Sequence, residues 1–199
     1  ASAVTWTAGH IFTASSTMTA TTTLAGDVAG RVASIGMVSS TDIWIFNSTA
    51  ATNILNYSVP AQTLTDGAVL EGDIIGDISF NSAGGTTTID LIYGTTKMAS
   101  ARLASDTNGY VGTSTILISF KLAAEGATNA QGGFIRWEVS PTSIPAGVGG
   151  SVKSFGLQSG FATENSNVAQ PVTVVFTWFQ TGAPPVFVSR FGYVKIIPK

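Results

Sequence analysis

The chain has 199 residues, of which 44% are hydrophobic and 10% are charged, and its 9 Lys and Arg against 11 Asp and Glu give a net charge of −2. The absence of cysteine excludes disulfide scaffolds and cysteine nucleophiles, and the lack of a basic run removes the main affinity term of nucleic-acid binding. Although the mean hydropathy is +0.34, no apolar run approaches the roughly 20 residues that span a bilayer, so we expect neither nucleic acid nor membrane as a partner.

The first 41 residues differ in composition from the rest of the chain. Residues 1–41 are rich in Thr, Ala and Ser, which predicts either an arm or extra strands that pack on a neighbour. Residues 42–199 are predicted to form one β-domain, because short segments with a period near two recur and no segment has the spacing of an amphipathic helix. About ten strands fit this pattern, so the predicted fold class is all-β.

The strands differ in how much of each face is apolar. Trp44 lies in the segment DIWIF at 42–46, which predicts a buried strand, with an exposed ring that stacks on a sugar as the alternative. Segment 134–139 alternates cleanly between apolar and charged residues, which predicts one wet face. Segment 172–179 is apolar on both faces and is predicted to be central or covered by a partner subunit. Further strands are predicted at 87–93, 115–121 and 186–197. Turn sequences rich in Gly, Pro and Asn separate the strands, as is typical of an antiparallel sandwich or barrel.

Residues 53–70, with the sequence NILNYSVPAQTLTDGAVL, contain a strand that Pro60 closes, since proline cannot donate to a β-ladder, and a reversal that Gly67 permits. Together with TIDLIYGTT at 88–96, this segment resembles small viral jelly-roll proteins, namely the trimeric, TNF-like head and tail fibre domains of phages and single-jelly-roll capsid proteins. The resemblance extends over about residues 42–197. It implies an antiparallel β-sandwich of jelly-roll type that works in the virion by association with itself, as a homotrimer or a larger icosahedral assembly.

Three carboxylates, Glu71, Asp73 and Asp77, lie within seven residues and share a parity, so in a strand they line one face. Calcium prefers several carboxylate and carbonyl oxygens, and the resemblance to virion proteins implies that such an ion would lie between subunits. The alternative is a solvated acidic strand that discourages unwanted pairing. A glycosidase pair is disfavoured, because neighbouring glycines provide little apolar wall to raise the pKa of an acid. Apart from this calcium site, no cofactor is expected.

Aromatic residues are concentrated near the end of the chain, and there are more of them than the core of one thin sandwich usually contains. Aromatic side chains are enriched in the buried centres of interfaces. We therefore predict an interface between copies of the chain, with core packing as the alternative. The predicted interface residues are Phe176, Trp178, Phe187, Phe191 and Tyr193.

No catalytic motif is apparent. His10 is the only histidine, and neither a nucleophile elbow nor a phosphate-binding glycine pattern is present. Tyr110 follows Asn108 and Gly109 in a predicted loop and is the best candidate for an exposed aromatic that stacks on a sugar ring of a host-surface glycan. The sequence therefore predicts a non-enzymatic virion structural protein, either a capsid shell subunit or a trimeric fibre, spike or decoration protein. A carbohydrate-binding β-sandwich module is the alternative.

Overall fold

The computed structural model describes residues 34–46, 48–64, 67–80, 86–104, 112–141, 154–179 and 186–198. They belong to the second of two compact units, residues 31–199, and the first unit, residues 1–30, lies outside the described residues. The described strands are β1 (Ser34–Ser39), β2 (Ile43–Phe46), β3 (Thr52–Val59), β4 (Val69–Phe80), β5 (Thr86–Tyr93), β6 (Thr96–Ala104), β7 (Gly112–Ala127), β8 (Ala130–Pro141), β9 (Ser154–Ala162), β10 (Gln170–Trp178) and β11 (Val186–Ile197).

The strands form two antiparallel sheets packed as a sandwich. The larger sheet has the order β1–β11–β4–β7–β8–β9, with β2 pairing with β11 beyond the end of β1, and the smaller sheet has the order β3–β10–β5–β6. Within this arrangement β2–β11–β4–β7 faces β3–β10–β5–β6, which is the strand order of a jelly roll. The predicted jelly-roll sandwich is confirmed, with eleven strands in the described part of the chain rather than about ten.

Alternation along the strands places one face of each sheet in the core. In β8, Ile135, Trp137 and Val139 are buried while Arg136 is exposed, as the sequence pattern predicts. Strand β10 lies between β3 and β5, which confirms the predicted central position in a sheet.

Two local predictions concern the connection between β3 and β4. Strand β3 ends at Val59, directly before Pro60, and Gly67 adopts a positive φ of 83° before β4 begins at Val69. Both match the predicted strand end and reversal.

Residues 34–39, which belong to the predicted N-terminal extension, form the edge strand β1, paired with β11. The rest of that extension up to residue 33 lies outside the described residues.

Candidate functional site: the outer face of the larger sheet

The predicted interface aromatics separate into two groups. Phe176, Trp178 and Phe187 are buried in the core between the two sheets, with 0–1% of their surface exposed. They are already covered within one chain, so their assignment to an interface between copies is wrong and the alternative of core packing is correct. Phe191 and Tyr193 lie instead on the solvent side of the larger sheet, where Phe191 is 38% exposed and the two ring centroids are 6.3 Å apart.

The solvent side of the larger sheet, called the outer face below, carries most of the exposed apolar surface. Seven of the nine large apolar side chains that are exposed in the described part of the chain lie on it according to strand register. They are Val38, Trp44, Phe46, Ile75, Leu157, Phe161 and Phe191. In the middle of the sheet, Phe191, Ile75 and Leu117 are direct neighbours on β11, β4 and β7 and form an apolar row across three strands.

Trp44 differs from its prediction. The sequence predicts a buried strand here because residues 43–46 are all apolar, but Trp44 is 61% exposed and its neighbour Phe46 is 64% exposed. Ile45 between them is buried and pairs with Phe187. Strand β2 is a short edge strand, and within the described residues only its inward face is covered.

Glu71, Asp73 and Asp77 share the outer face, and each already has a partner. Glu71 forms ion pairs with Lys121 at 3.1 Å and Lys195 at 3.5 Å. The Tyr193 hydroxyl donates a hydrogen bond to Asp73 Oδ2 at 2.6 Å. This hydrogen bond, followed by burial, raises the pKa of Tyr193 to about 12. Neighbouring strands therefore supply partners for Glu71 and Asp73.

Arg190 binds the third carboxylate and connects it to the exposed tryptophan. Its Nε donates to Asp77 Oδ2 at 2.9 Å and its Nη1 to Asp42 Oδ2 at 2.7 Å. The guanidinium also lies 5.3 Å from the centroid of the Trp44 ring, a cation–π distance. The hydrogen bonds to Asp77 and Asp42 raise the pKa of Arg190. These contacts place the Arg190 guanidinium, held by two carboxylates, beside the exposed Trp44 ring.

The predicted calcium site gains no support from this geometry. No group of three or more His, Cys, Asp or Glu side chains within the described ranges is arranged to hold a metal ion, and the three carboxylates bind lysine, tyrosine and arginine instead. The calcium prediction is therefore still untested. Tyr110, predicted to stack on a glycan, and His10, the single histidine, both fall outside the described ranges.

A shallow groove of about 370 Å³ lies on the outer face across β7, β8 and β9. Leu117 and Leu157 supply apolar walls, and Arg136 and Glu138 stand beside them. The Ser119 hydroxyl is buried at the groove without a hydrogen-bond partner in the described part of the chain. Arg136 and Glu138 lie on the strand face that the alternation predicts to be wet. The groove beside them could not be predicted from β8 alone, because Leu157 and Ser119 reach it from two other strands.

Glu164 forms a second polar cluster that the sequence analysis missed. Its Oε1 accepts hydrogen bonds from the Thr95 backbone N–H and hydroxyl, both at 2.9 Å, and from the Thr96 hydroxyl at 2.7 Å. The Thr96 bond is the main cause that lowers the pKa of Glu164. Burial, followed by the charge of Glu164, raises the pKa of Tyr93 to about 12. The carboxylate thus ties the segment before β10 to the β5–β6 turn, which is a structural role.

No family model and no curated protein sequence matches this chain. Among solved structures, it is similar to the CBM2 module of the evolved Dit of Lactobacillus casei BL23 phage J-1, with 11% identity over 72% of this chain and 69% of that one, at a TM-score of 0.31. It is also similar to the winged bean acidic lectin complexed with methyl-α-D-galactose, with 10% identity, 74% and 81% coverage and a TM-score of 0.26.

A third similar structure is that of the infectious bursal disease virus Gx strain, with 13% identity over 84% of this chain and 40% of that one, at a TM-score of 0.27. At such low identities and TM-scores these likenesses carry no argument about what this chain binds or does. In the described part of the chain no helix is long and apolar enough to cross a membrane.

Proposed function

We propose that the protein is a non-enzymatic structural subunit of a virus particle that associates with copies of itself through the outer face. The observation that carries the proposal is the concentration of seven exposed apolar side chains on one face of the jelly roll. Soluble monomers rarely expose contiguous apolar patches larger than a few hundred Å², and larger patches mark association sites. A second copy covering this face would remove those side chains from water.

The viral part of the proposal rests on the resemblance of residues 53–70 and 88–96 to viral jelly-roll proteins, and the jelly-roll strand order supports it. Two forms of assembly fit. A shell subunit tiles with many copies, whereas a fibre, spike or decoration protein closes as a trimer. Light scattering after size-exclusion chromatography separates them, since a stable trimer supports the second form and closed shells in electron micrographs support the first.

A pair of matched variants tests the outer face. Phe191→Lys places a charge in the middle of the proposed interface, and Thr173→Lys places the same charge on the central strand of the smaller sheet, on its solvent side. We expect Phe191→Lys to abolish or strongly weaken assembly and Thr173→Lys to leave it unchanged, with both variants folded by circular dichroism. A wild-type protein that stays monomeric at all concentrations would overturn the proposal.

Carbohydrate binding is the second candidate, and the exposure of Trp44 favours it. An aromatic ring that is 61% exposed on a sheet face can stack on the apolar side of a sugar ring. A glycan array with wild-type protein and the Trp44→Ala variant tests this function. Binding that is lost in the variant supports it, and an array without signal removes it.

A further inference from the structure

Two charged side chains on the outer face lack the partners that their counterparts have. Most described carboxylates bind a cation or a hydroxyl, as shown above for Glu71, Asp73 and Asp77. Glu125 and Arg136, in contrast, are both exposed and form no ion pair or hydrogen bond within the described ranges. One unpaired anion and one unpaired cation are therefore available for a contact outside the chain.

Both groups lie on the same face of one hairpin, formed by β7 and β8. The Glu125 carboxylate lies over Gly132, because a Cβ added to Gly132 would collide with its Oε1. Gly132 and Arg136 point to the same side of β8, four residues apart in an uninterrupted register with β9. At about 3.3 Å per residue, their positions are roughly 13 Å apart along the strand.

The space beside this line of charges is apolar. Leu157 pairs with Arg136, and Phe161 pairs with Gly132 on the neighbouring strand β9. Leu157 is 58% exposed and Phe161 is 72% exposed. Phe134, midway between the two charged ends on β8, is partly exposed. The patch thus has an anion at one end, a cation at the other and apolar side chains next to both.

We propose that two copies of the chain pair face to face through this patch, across a two-fold axis that runs parallel to the sheet and perpendicular to β8, above Phe134. This inference rests on the proposed self-association and names one of its contacts. A patch with opposite charges at its two ends is complementary to itself after a two-fold rotation, so Glu125 of each copy meets Arg136 of the other. The same rotation brings the exposed Leu157 and Phe161 side chains of the two copies towards each other.

The groove supplies the receiving site for the incoming carboxylate. Arg136 stands at its side, and the buried Ser119 hydroxyl has no partner in the described part of the chain. A carboxylate of a second copy would accept hydrogen bonds from both groups, and such charge-assisted bonds are about twice as strong as neutral ones. Leu117 and Leu157 would contact the apolar stem of the incoming Glu125 side chain.

A charge exchange tests the pairing. We expect Glu125→Arg and Arg136→Glu each to weaken the association of two copies by about 10-fold or more, since each places like charges opposite one another. The double variant restores the pairing with its polarity reversed and should return to within about threefold of wild type. Sedimentation velocity at low and high salt measures the association constants, and the control Arg102→Glu, on the smaller sheet, should have no effect.

The outcomes separate this contact from the wider proposal. Wild-type association combined with unaffected single variants, or a double variant that does not recover, overturns the two-fold contact and leaves self-association intact. A wild type that never associates overturns both. If a charge reversal prevents folding, as judged by circular dichroism, the neutral variants Glu125→Gln and Arg136→Gln replace it, and wild-type association by both would again overturn the contact.

Discussion

Phe176 on β10 and Phe187 on β11 stack across the two sheets, with ring centroids 4.3 Å apart and an interplanar angle of 24°. Trp178 extends this cluster, since its ring meets Phe176 edge to face at 5.1 Å and 77°. These aromatics connect β10 of the smaller sheet to β11 of the larger sheet. Three of the five predicted interface aromatics therefore hold the sandwich together, and the other two, Phe191 and Tyr193, face outwards.

Core packing and surface exposure predict different losses of stability for two phenylalanines on β11. Phe187→Ala should lower the free energy of unfolding by about 3–5 kcal/mol, because it leaves a cavity in the core. Phe191→Ala should change it by less than about 1 kcal/mol, because that ring is partly exposed and its removal leaves no buried cavity. Urea unfolding of monomeric protein measures both values. Equal losses would contradict the assignment of these two rings to different faces.

Stability should fall at high pH because two tyrosines hold their protons more tightly in the folded protein. The pKa of Tyr193 and that of Tyr93 are each about 12, above the ordinary value of about 10 in an unfolded chain. A raised folded-state pKa contributes stability that is fully present below about pH 10 and is lost as the pH rises towards 12. Denaturant unfolding from pH 9 to 12.5 measures the loss, which Tyr193→Phe and Tyr93→Phe should each reduce.

Stability should also fall in acid, because Glu164 holds its negative charge more tightly in the folded protein. Its pKa is lowered, chiefly by the Thr96 hydrogen bond, so its contribution is present above the unfolded value near 4.3 and is lost as the pH falls through the folded value. Glu164→Gln should flatten this dependence of stability on pH. It should also speed hydrogen exchange of the Thr95 amide, because that amide donates a hydrogen bond to Glu164 Oε1 at 2.9 Å.

Gly72 should be far less tolerant of a methyl group than a glycine on the neighbouring strand. A Cβ at Gly72 would lie 2.5 Å from the Tyr193 carbonyl oxygen and 2.6 Å from the Phe120 ring, whereas the nearest atoms to a Cβ at Gly192 are 3.6 Å away. We expect Gly72→Ala to destabilise by about 1–3 kcal/mol through overpacking, and Gly192→Ala to remain within about 1 kcal/mol of wild type. Thermal and urea unfolding of the two variants tests this difference.

The sequence pattern predicts the strands well because their alternation is local. The predicted interface residues of β11 nevertheless lie on two different faces, for a reason that simple alternation does not show. Phe187, Phe191 and Tyr193 share a parity, but a bulge between Ser189 and Phe191 inserts Arg190 into the ladder with β4. One extra residue moves the following side chains to the opposite face, so Phe187 points inwards while Phe191 and Tyr193 point outwards.

The features that the sequence analysis missed depend on contacts between distant segments. The Tyr193–Asp73 hydrogen bond joins residues 120 positions apart, and the Arg190–Asp42 bond joins residues 148 positions apart. Strand periodicity carries no information about such pairs, because they are set by sheet order and register. The exposure of Trp44 has the same cause. Whether its side chain is buried depends on which segments pack against β2, and the sequence of that strand does not show this.

The β8–β9 hairpin widens the larger sheet beyond the eight strands that define the jelly roll. Its inward residues, such as Ile135, add to the hydrophobic interior, while its outward residues carry the surface chemistry of that margin. Core residues and surface residues therefore alternate along the same short stretch of chain. Substitutions at its outward positions change the surface of this margin and leave the hydrophobic interior beneath it intact.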